Sequence, residues 1–322
     1  MSWAAIAGTG AYLPERVMAN KEFEKLVDTT DEWIRDRSGI KRRHIAAPNE
    51  TTSDMALAAA RAAMASSDVT ADDIDLIIVA TTTPDKVFPS TACIVQRRLG
   101  NHNIPAFDVH AACAGFIYAL DVANRFIRTN GARCALVIGA ETYSRIIDWN
   151  DRSTCVLFGD GAGAVVLRAS EQAGVLSTHC HADGAYEELL HVPSGISSGY
   201  DTVRSESAFI RMKGSEVFKK AVGTLGSMAD DILAANQIHK DDIDWLIPHQ
   251  ANLRIISAAA RKLDLPMERV VVTVDEHANT SSASIPLALD VAIRDGRIRR
   301  GELLLFEAFG AGFTWGSALV RY

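Results

Sequence analysis

Three side chains in this 322-residue chain have the chemistry and local setting for acyl transfer: Cys113, His249 and Asn279. Cys113 stands in Asp108-Val109-His110-Ala111-Ala112-Cys113-Ala114-Gly115, where an apolar strand runs into an alanine-rich helix. A thiol in the first helical turn faces unpaired N–H groups and the positive end of the helix dipole, which favour the thiolate. Its small neighbours leave room for an acyl group, whereas Cys93, Cys134, Cys155 and Cys180 read as small core residues. His249 ends a strand in Pro248-His249-Gln250-Ala251-Asn252, and Asn279 lies in His277-Ala278-Asn279-Thr280-Ser281. An imidazole and a carboxamide can both donate to one carbonyl oxygen as it becomes an enolate, without a metal. Taken singly, each of the three reads more simply as a core residue or a turn; their placement is what joins them.

The elements that must position them come in two copies. Ala119-Leu120-Asp121-Val122-Ala123 recurs as Ala288-Leu289-Asp290-Val291-Ala292, and 288 − 119 = 169. The same offset lays Ile74-Asp75-Leu76-Ile77 over Ile243-Asp244-Trp245-Leu246, and Cys134 to Ala140 over Leu303 to Phe309. Gly163 to Arg168 resembles Gly316 to Arg321 at 316 − 163 = 153, so the first copy carries 169 − 153 = 16 extra residues before its last strand. Position 279 − 169 = 110 puts Asn279 on the junction equivalent to the one that leads into Cys113. A twofold-like packing of halves 1–172 and 173–322 would bring these junctions face to face.

Within each half, fully apolar strands alternate with helices, which predicts parallel-rich sheets of α/β type covered on both faces. Helices are expected over Asp31 to Arg37, Ser53 to Ser67, Ser90 to Leu99, Cys113 to Arg128, Lys213 to Ala235, Asn252 to Leu263 and Ser282 to Arg294. A strand is expected at Val270 to Val274. The polar, Gly- and Ser-rich segment His181 to Arg211 reads as a long functional loop.

A net charge of −7 with 48% apolar residues describes a globular chain without the basic face that nucleic acid needs. No signal peptide or apolar span of membrane length stands out, so the expected location is cytoplasmic. Five cysteines about 20 residues apart fit neither a disulfide framework nor a zinc motif. Basic residues still cluster locally, at Arg35, Arg37, Lys41, Arg42 and Arg43, and at Lys213, Lys219, Lys220, Arg254, Arg261 and Lys262. Such rims suit a phosphate-bearing ligand or an acidic protein partner.

Together the Cys113 segment, Pro248 to Asn252, Asn279-Thr280-Ser281 and the tail Phe313-Thr314-Trp315-Gly316 resemble the β-ketoacyl-acyl carrier protein synthase III family of the thiolase-like superfamily, over essentially the full length. The resemblance implies a five-layered α-β-α-β-α fold and a decarboxylating condensation. In it Cys113 takes the acyl group of a short acyl-coenzyme A, acetyl-coenzyme A being expected, and malonyl-acyl carrier protein supplies the extender. His249 and Asn279 would hold the malonyl thioester oxygen, and the backbone N–H groups of Cys113 and Ala311 would form the acyl oxyanion hole. Trp33 and Arg152 would sandwich adenine, Arg37 would meet the phosphates and Asn252 the pantetheine arm. Gln250, Ala251, Asn252, Leu253 and Arg254, with Lys219 and Arg261, would receive the carrier protein. Phe88 would cross a homodimer interface and limit acyl length. No cofactor or metal is implied; coenzyme A and phosphopantetheine enter as parts of the substrates. Ala278 and Ala311 replace glycines common in the family, and either would be strained if its φ were positive.

Other readings stay open: a Cys-His-Asn condensing enzyme or acyltransferase of secondary metabolism, a non-catalytic carrier-protein-binding homologue, or a cysteine hydrolase. A hydroxymethylglutaryl-coenzyme A synthase would want a catalytic Glu in the first half, and a thiolase a second cysteine near Gly310 to Gly312. Phe158-Gly159-Asp160-Gly161-Ala162-Gly163 lacks the Lys-Ser/Thr of a phosphate loop and leads into a strand, so its glycines read as close-packing residues. His179-Cys180-His181 lacks a third metal ligand.

Overall fold

A computed structural model describes residues 2–203 and 208–322; of the segment expected to be irregular, residues 204–207 lie outside the described residues. The strands are β1 (Trp3–Tyr12), β2 (Arg16–Ala19), β3 (Arg42–Ile45), β4 (Leu76–Ala80), β5 (Ala106–Val109), β6 (Cys134–Thr142) and β7 (Asp160–Ser170). They continue with β8 (Val175–Ala182), β9 (Leu190–His191), β10 (Arg211–Met212), β11 (Trp245–Pro248), β12 (Leu303–Gly310) and β13 (Thr314–Arg321). One large sheet has the order β1-β7-β6-β4-β5 and the other β11-β12-β13-β8. Every strand of the first precedes residue 171 and every strand of the second follows residue 174.

Both sheets are mixed, where parallel-rich sheets were expected. Only β4–β5, β4–β6 and β11–β12 pair parallel; β1–β7, β6–β7, β12–β13 and β13–β8 are antiparallel. The apolar runs report burial on both faces, and a central antiparallel strand is buried in the same way.

Alternate residues of each strand enter different cores, as the period-2 pleat requires. Ile78 and Val137 of the first sheet and Leu304, Phe306 and Ala318 of the second share one core with helices Gly115–Arg128 and Ser284–Arg294. Opposite faces of the first sheet, through Ile77, Val79 and Ile138, pack on helices Thr52–Ala65 and Thr91–Leu99. The outer face of the second sheet, through Leu303, Leu305 and Leu319, packs on Gly214–Asn236 and Leu253–Lys262. The result is five layers, with one central helix from each half between the sheets.

Glycines set the spacing of that middle layer. A Cβ on Gly163 would come 2.6 Å from the Leu287 backbone N, and one on Gly316 2.9 Å from Ile117 Cγ2. These repeat-related glycines therefore let each sheet approach the helix of the other half.

The strand expected at Val270 to Val274 is reduced to a single bridge, Leu246 to Val270, and a short helix begins at Val274. The cause is a side chain: Gln250 Oε1 accepts from the N–H groups of Thr273 and Val274 at 2.8 and 3.1 Å, removing them from any ladder.

Candidate active site

Cys113 sits in a tight 3-10 turn, Ala112–Ala114, between β5 and helix Gly115–Arg128. Its repeat counterpart is the turn Ser281–Ala283, which leads into Ser284–Arg294, and the two turns pack against each other. Ala112 has φ 44° and Ser281 φ 50°, and 281 − 112 = 169. Each left-handed non-glycine costs on the order of 1–2 kcal/mol, so both copies hold the same strained elbow at the same place. Gly310, ending β12, lies against the cysteine: a Cβ there would be 2.6 Å from Cys113 N. Thr314 Oγ1 donates to the Ala111 or Ala311 carbonyl, at 2.8 and 3.0 Å, stitching the two loops together.

Cys113, His249, Asn279 and Ala311 line one cavity of about 1030 Å³. His249 is 5% exposed, and burial lowers its imidazole to about 3, so it is neutral. Its Nδ1 lies 2.6 Å from Ser284 Oγ, which also accepts from the Gln250 N–H at 3.2 Å. The serine proton has no other acceptor among the described residues, so it goes to Nδ1 and leaves the imidazole N–H on Nε2. Asn279 is oriented by the same logic. Its Oδ1 accepts from Ser281 N at 2.9 Å, so Nδ2 is the end left to donate elsewhere. Its backbone is clamped by the insertion between β6 and β7, through Asn279 N to Leu157 O and Gly159 N to Asn279 O, each 3.0 Å.

The cysteine corrects one expectation. Burial pushes its thiol up to about 12, the Ser281 hydroxyl lowers it in opposition, and Glu141 raises it further. The helix terminus does not outweigh these in the free site, where the sulfur is a thiol.

Beneath it, Glu141 accepts from Thr82 N and from the hydroxyls of Thr82, Thr83, Ser281 and Ser282 at 2.8 to 3.2 Å. Ser281 Oγ also lies 3.0 Å from the Tyr143 hydroxyl. Of these residues the sequence reading quoted only Ser281 in a motif, within the Asn279-Thr280-Ser281 segment, and gave it no role. Position was the further signal: Ser281 opens the repeat-related turn, Ser284 follows it, and Tyr143 opens the 16-residue insertion.

Trp33 carries Arg152 and Arg37 over its ring at 4.8 and 4.9 Å, so the expected nucleotide residues are neighbours. Asn252 and Ala251 line the cavity, and Asn252 caps helix Leu253–Lys262 while its Nδ2 donates to Arg37 O at 3.0 Å. Lys219, Arg254 and Arg261 are exposed on the paired helices Gly214–Asn236 and Leu253–Lys262.

Gln250 does not join that surface. It is 1% exposed, and its carboxamide is consumed by Pro248 O, Val271 O, Thr273 N and Val274 N, so it is a strut behind His249. Leu253 is only half-buried, but it packs under Gly39, where a Cβ would lie 2.6 Å from its own. Phe88 is 83% exposed and lines no part of the cavity within this chain. The first basic cluster also dissolves: Arg43 is wholly buried on Phe23, while Arg35, Lys41 and Arg42 pair with Asp31, Asp275 and Glu276. Ala278 has φ 58° and is the strained one of the two alanines; Ala311 is not left-handed.

The glycines of Phe158 to Gly163 do serve close packing: Gly159 abuts His277 O and Gly163 the Pro286–Leu287 backbone. Among the described residues no cluster of three or more His, Cys, Asp or Glu could hold a metal, and no helix is long and apolar enough to cross a membrane.

Residues 107–184 match the family model for 3-oxoacyl-[acyl-carrier-protein (ACP)] synthase III, and residues 233–322 match the model for its C-terminal part. A β-ketoacyl-[acyl-carrier-protein] synthase III of Thioalkalivibrio sulfidiphilus is 66% identical over 322 residues, the whole of both chains. This chain belongs to the β-ketoacyl-acyl carrier protein synthase III family. Among solved synthase III structures, that from Aquifex aeolicus VF5 superposes with a TM-score of 0.93 at 49% identity, covering 99% of this chain and 100% of its own. A priming β-ketosynthase of the R1128 polyketide pathway reaches 0.93 at 37% identity, covering 99% and 96%. The thiolase-like α/β architecture is thus shared by the synthase III family and by this chain.

Proposed function

We propose that this enzyme, an acyltransferase that initiates type II fatty acid synthesis by a decarboxylating condensation, uses Cys113 as acyl carrier and His249 with Asn279 as enolate donors. The observation that carries this assignment is the convergence of Cys113, His249 and Asn279 on one cavity, with His249 Nδ1 and Asn279 Oδ1 already engaged. Both remaining N–H groups are then committed as donors.

In the first half-reaction the Cys113 sulfur bonds to the acyl carbon, the carbon–sulfur bond to coenzyme A breaks, and the cysteine proton passes to the departing thiolate. Backbone N–H groups of Cys113 and Ala311 receive the oxyanion. In the second, malonyl-acyl carrier protein loses carbon dioxide, and the electron pair left on the α-carbon is delocalised onto the thioester oxygen held by His249 Nε2–H and Asn279 Nδ2–H. That carbon attacks the acyl group, the bond to Cys113 breaks, and the thiolate regains a proton from solvent. Splitting one hard step in two is what a covalent intermediate contributes.

Acetyl-coenzyme A is the primer this reading favours, and the reading calls for no resident cofactor. Trp33, Arg37 and Arg152 would take the nucleotide end, Asn252 the pantetheine, and Lys219, Arg254 and Arg261 the carrier protein, in a cytoplasmic homodimer. Relatives in polyketide priming keep a second reading in view, and acceptance of malonyl-acyl carrier protein separates the two.

The test is intact-mass spectrometry after incubation with a panel of acyl-coenzyme A esters. An acyl adduct absent in Cys113→Ala and released as 3-oxoacyl product on adding malonyl-acyl carrier protein is expected. An adduct that persists in Cys113→Ala would end the assignment.

A further inference from the structure

We propose that Arg43 is a positioning residue for the decarboxylation step: it fixes the stretch of backbone that clamps Asn279 and so sets the direction of the Asn279 amide. This rests on the reading of Asn279 as an enolate donor.

Arg43 is wholly buried on β3, which pairs with β2 in a short ribbon. Its Nη2 donates to Val156 O at 2.6 Å, and its Nη1 to Asn20 Oδ1 at 2.8 Å and Met18 O at 3.3 Å. The guanidinium lies 4.4 Å from the centre of the Phe23 ring, and no carboxylate hydrogen-bonds to it among the described residues. Burial lowers it to about 10, which leaves it charged at neutral pH. Burying a cation without an anion costs stability, so the fold alone gives no reason for an arginine here. An apolar side chain of similar length would cover Phe23, but it would not hold the Val156 carbonyl.

That carbonyl opens the stretch that touches Asn279. Asn279 N donates to Leu157 O and Gly159 N to Asn279 O, each at 3.0 Å, and Phe158 forms a parallel bridge with Asn279. Carboxylates anchor the chain on both sides of it. Asp151 accepts from Ser153 and Thr154 ahead of the stretch, and Asp160 accepts from Ala46 N and Ser144 beyond it. Between these anchors, Arg43 is the one side chain among the described residues that hydrogen-bonds to the backbone of residues 156–159. Without it, the clamp would be held largely by the residue it clamps.

The ribbon also reaches the other flank of Asn279. Lys41 N donates to Asp275 O at 2.8 Å, in the short helix that precedes Asn279. A Cβ on Gly159 would lie 3.0 Å from Arg43 Cβ and 2.7 Å from His277 O, so Gly159 is wedged between the arginine and the backbone leading into Asn279. Releasing the Val156 carbonyl would let this packed stretch drift, and a misplacement of about 1 Å in a donor costs on the order of 100-fold in rate. Acylation stands apart from this chain of contacts. The Cys113 turn rests on Gly310 and on the Ser281–Ala283 turn, and Arg152 is tied separately, its Nη1 donating to Asp28 O at 2.7 Å.

The experiment compares wild type, Arg43→Met, Asn279→Ala and the double variant. Two rates are measured on each preparation: acetylation of Cys113 by acetyl-coenzyme A, and carbon dioxide release from malonyl-acyl carrier protein by the acetylated enzyme. Their ratio is unaffected by the fraction of folded enzyme. Arg43→Met should lower the ratio of carbon dioxide release to acetylation by about tenfold or more. Added to Asn279→Ala it should change that ratio by less than about twofold, because the group through which it acts is already gone. An unchanged ratio in Arg43→Met overturns the proposal, as do losses that multiply in the double variant. If Arg43→Met does not fold, Arg43→Lys, whose one nitrogen cannot span the oxygens of Val156 and Asn20, takes its place with the same expectation. Asn279→Ala that releases carbon dioxide at the wild-type rate would instead strike the underlying reading of Asn279.

Discussion

Ser284 and Glu307 show how much of this site lies one residue away from the obvious chemistry. Ser284 has no contact with substrate in the mechanism above; it positions His249 by fixing which nitrogen bears hydrogen. Ser284→Ala should leave acylation of Cys113 at its wild-type rate and slow decarboxylation of malonyl-acyl carrier protein by about tenfold, the loss of roughly one hydrogen bond's worth of enolate stabilisation. Equal slowing of both half-reactions would refute the positioning role. Glu307 is 1% exposed and lines the cavity, neither carboxyl oxygen has a partner among the described residues, and burial raises it from 4.5 to about 8. Between those values the folded protein keeps a proton that the unfolded chain has lost. Its contribution is therefore full below about 4.5 and is lost as pH rises through about 8. Glu307→Gln should melt higher than wild type at pH 8, by an amount on the order of 1–3 kcal/mol, and show little difference at pH 5. His249 acts with the opposite sign, its contribution falling as pH drops from 6.5 toward about 3.

Elements were most legible where both copies occupy the same environment. The repeated pentapeptide marks the two central helices, each enclosed by both sheets, so selection for small and apolar residues acts on them alike. Outer helices face solvent and different loops, and Gly214–Asn236 is nine residues longer than Thr52–Ala65, 23 against 14, so no repeat was visible there. Val270 to Val274 has the composition of a strand, and a single distant carboxamide, Gln250, withdraws two of its N–H groups. That same satisfied amide explains why a polar residue in a polar stretch proved to be buried. The end of β12 is the element on which Cys113 rests. Gly310→Ala would press a methyl carbon against the Cys113 backbone and displace the strained elbow, so acylation should fall by at least about 100-fold with stability reduced by roughly 1–3 kcal/mol. A fully active Gly310→Ala enzyme would mean the contact has slack.

At the scale of the whole molecule, the central layer belongs to neither half alone. Leu120 and Ile127 from one helix and Ile285 and Leu289 from the other share a single core with both sheets. A fragment ending at residue 172 would expose that apolar face, so it should be insoluble or lack near-ultraviolet circular dichroism when expressed alone, and gain both on co-expression with 173–322. A soluble, cooperatively melting fragment would argue against the shared core. What the sequence could not disclose at this scale is how the insertion breaks the symmetry: it clamps Asn279 in one half and brings Tyr143 to the cysteine in the other. The indole of Trp33, flanked by two guanidinium groups, has a further use. On the proposed assignment of Trp33 and Arg152 to the nucleotide base, two layers at about 3.5 Å each are needed between them, more than the present 4.8 Å, so the arginine would have to swing out as the ligand arrives. The difference in indole emission between wild type, which has five tryptophans, and Trp33→Phe should therefore report occupancy, giving an optical titration for a ligand that is itself colourless in the visible range.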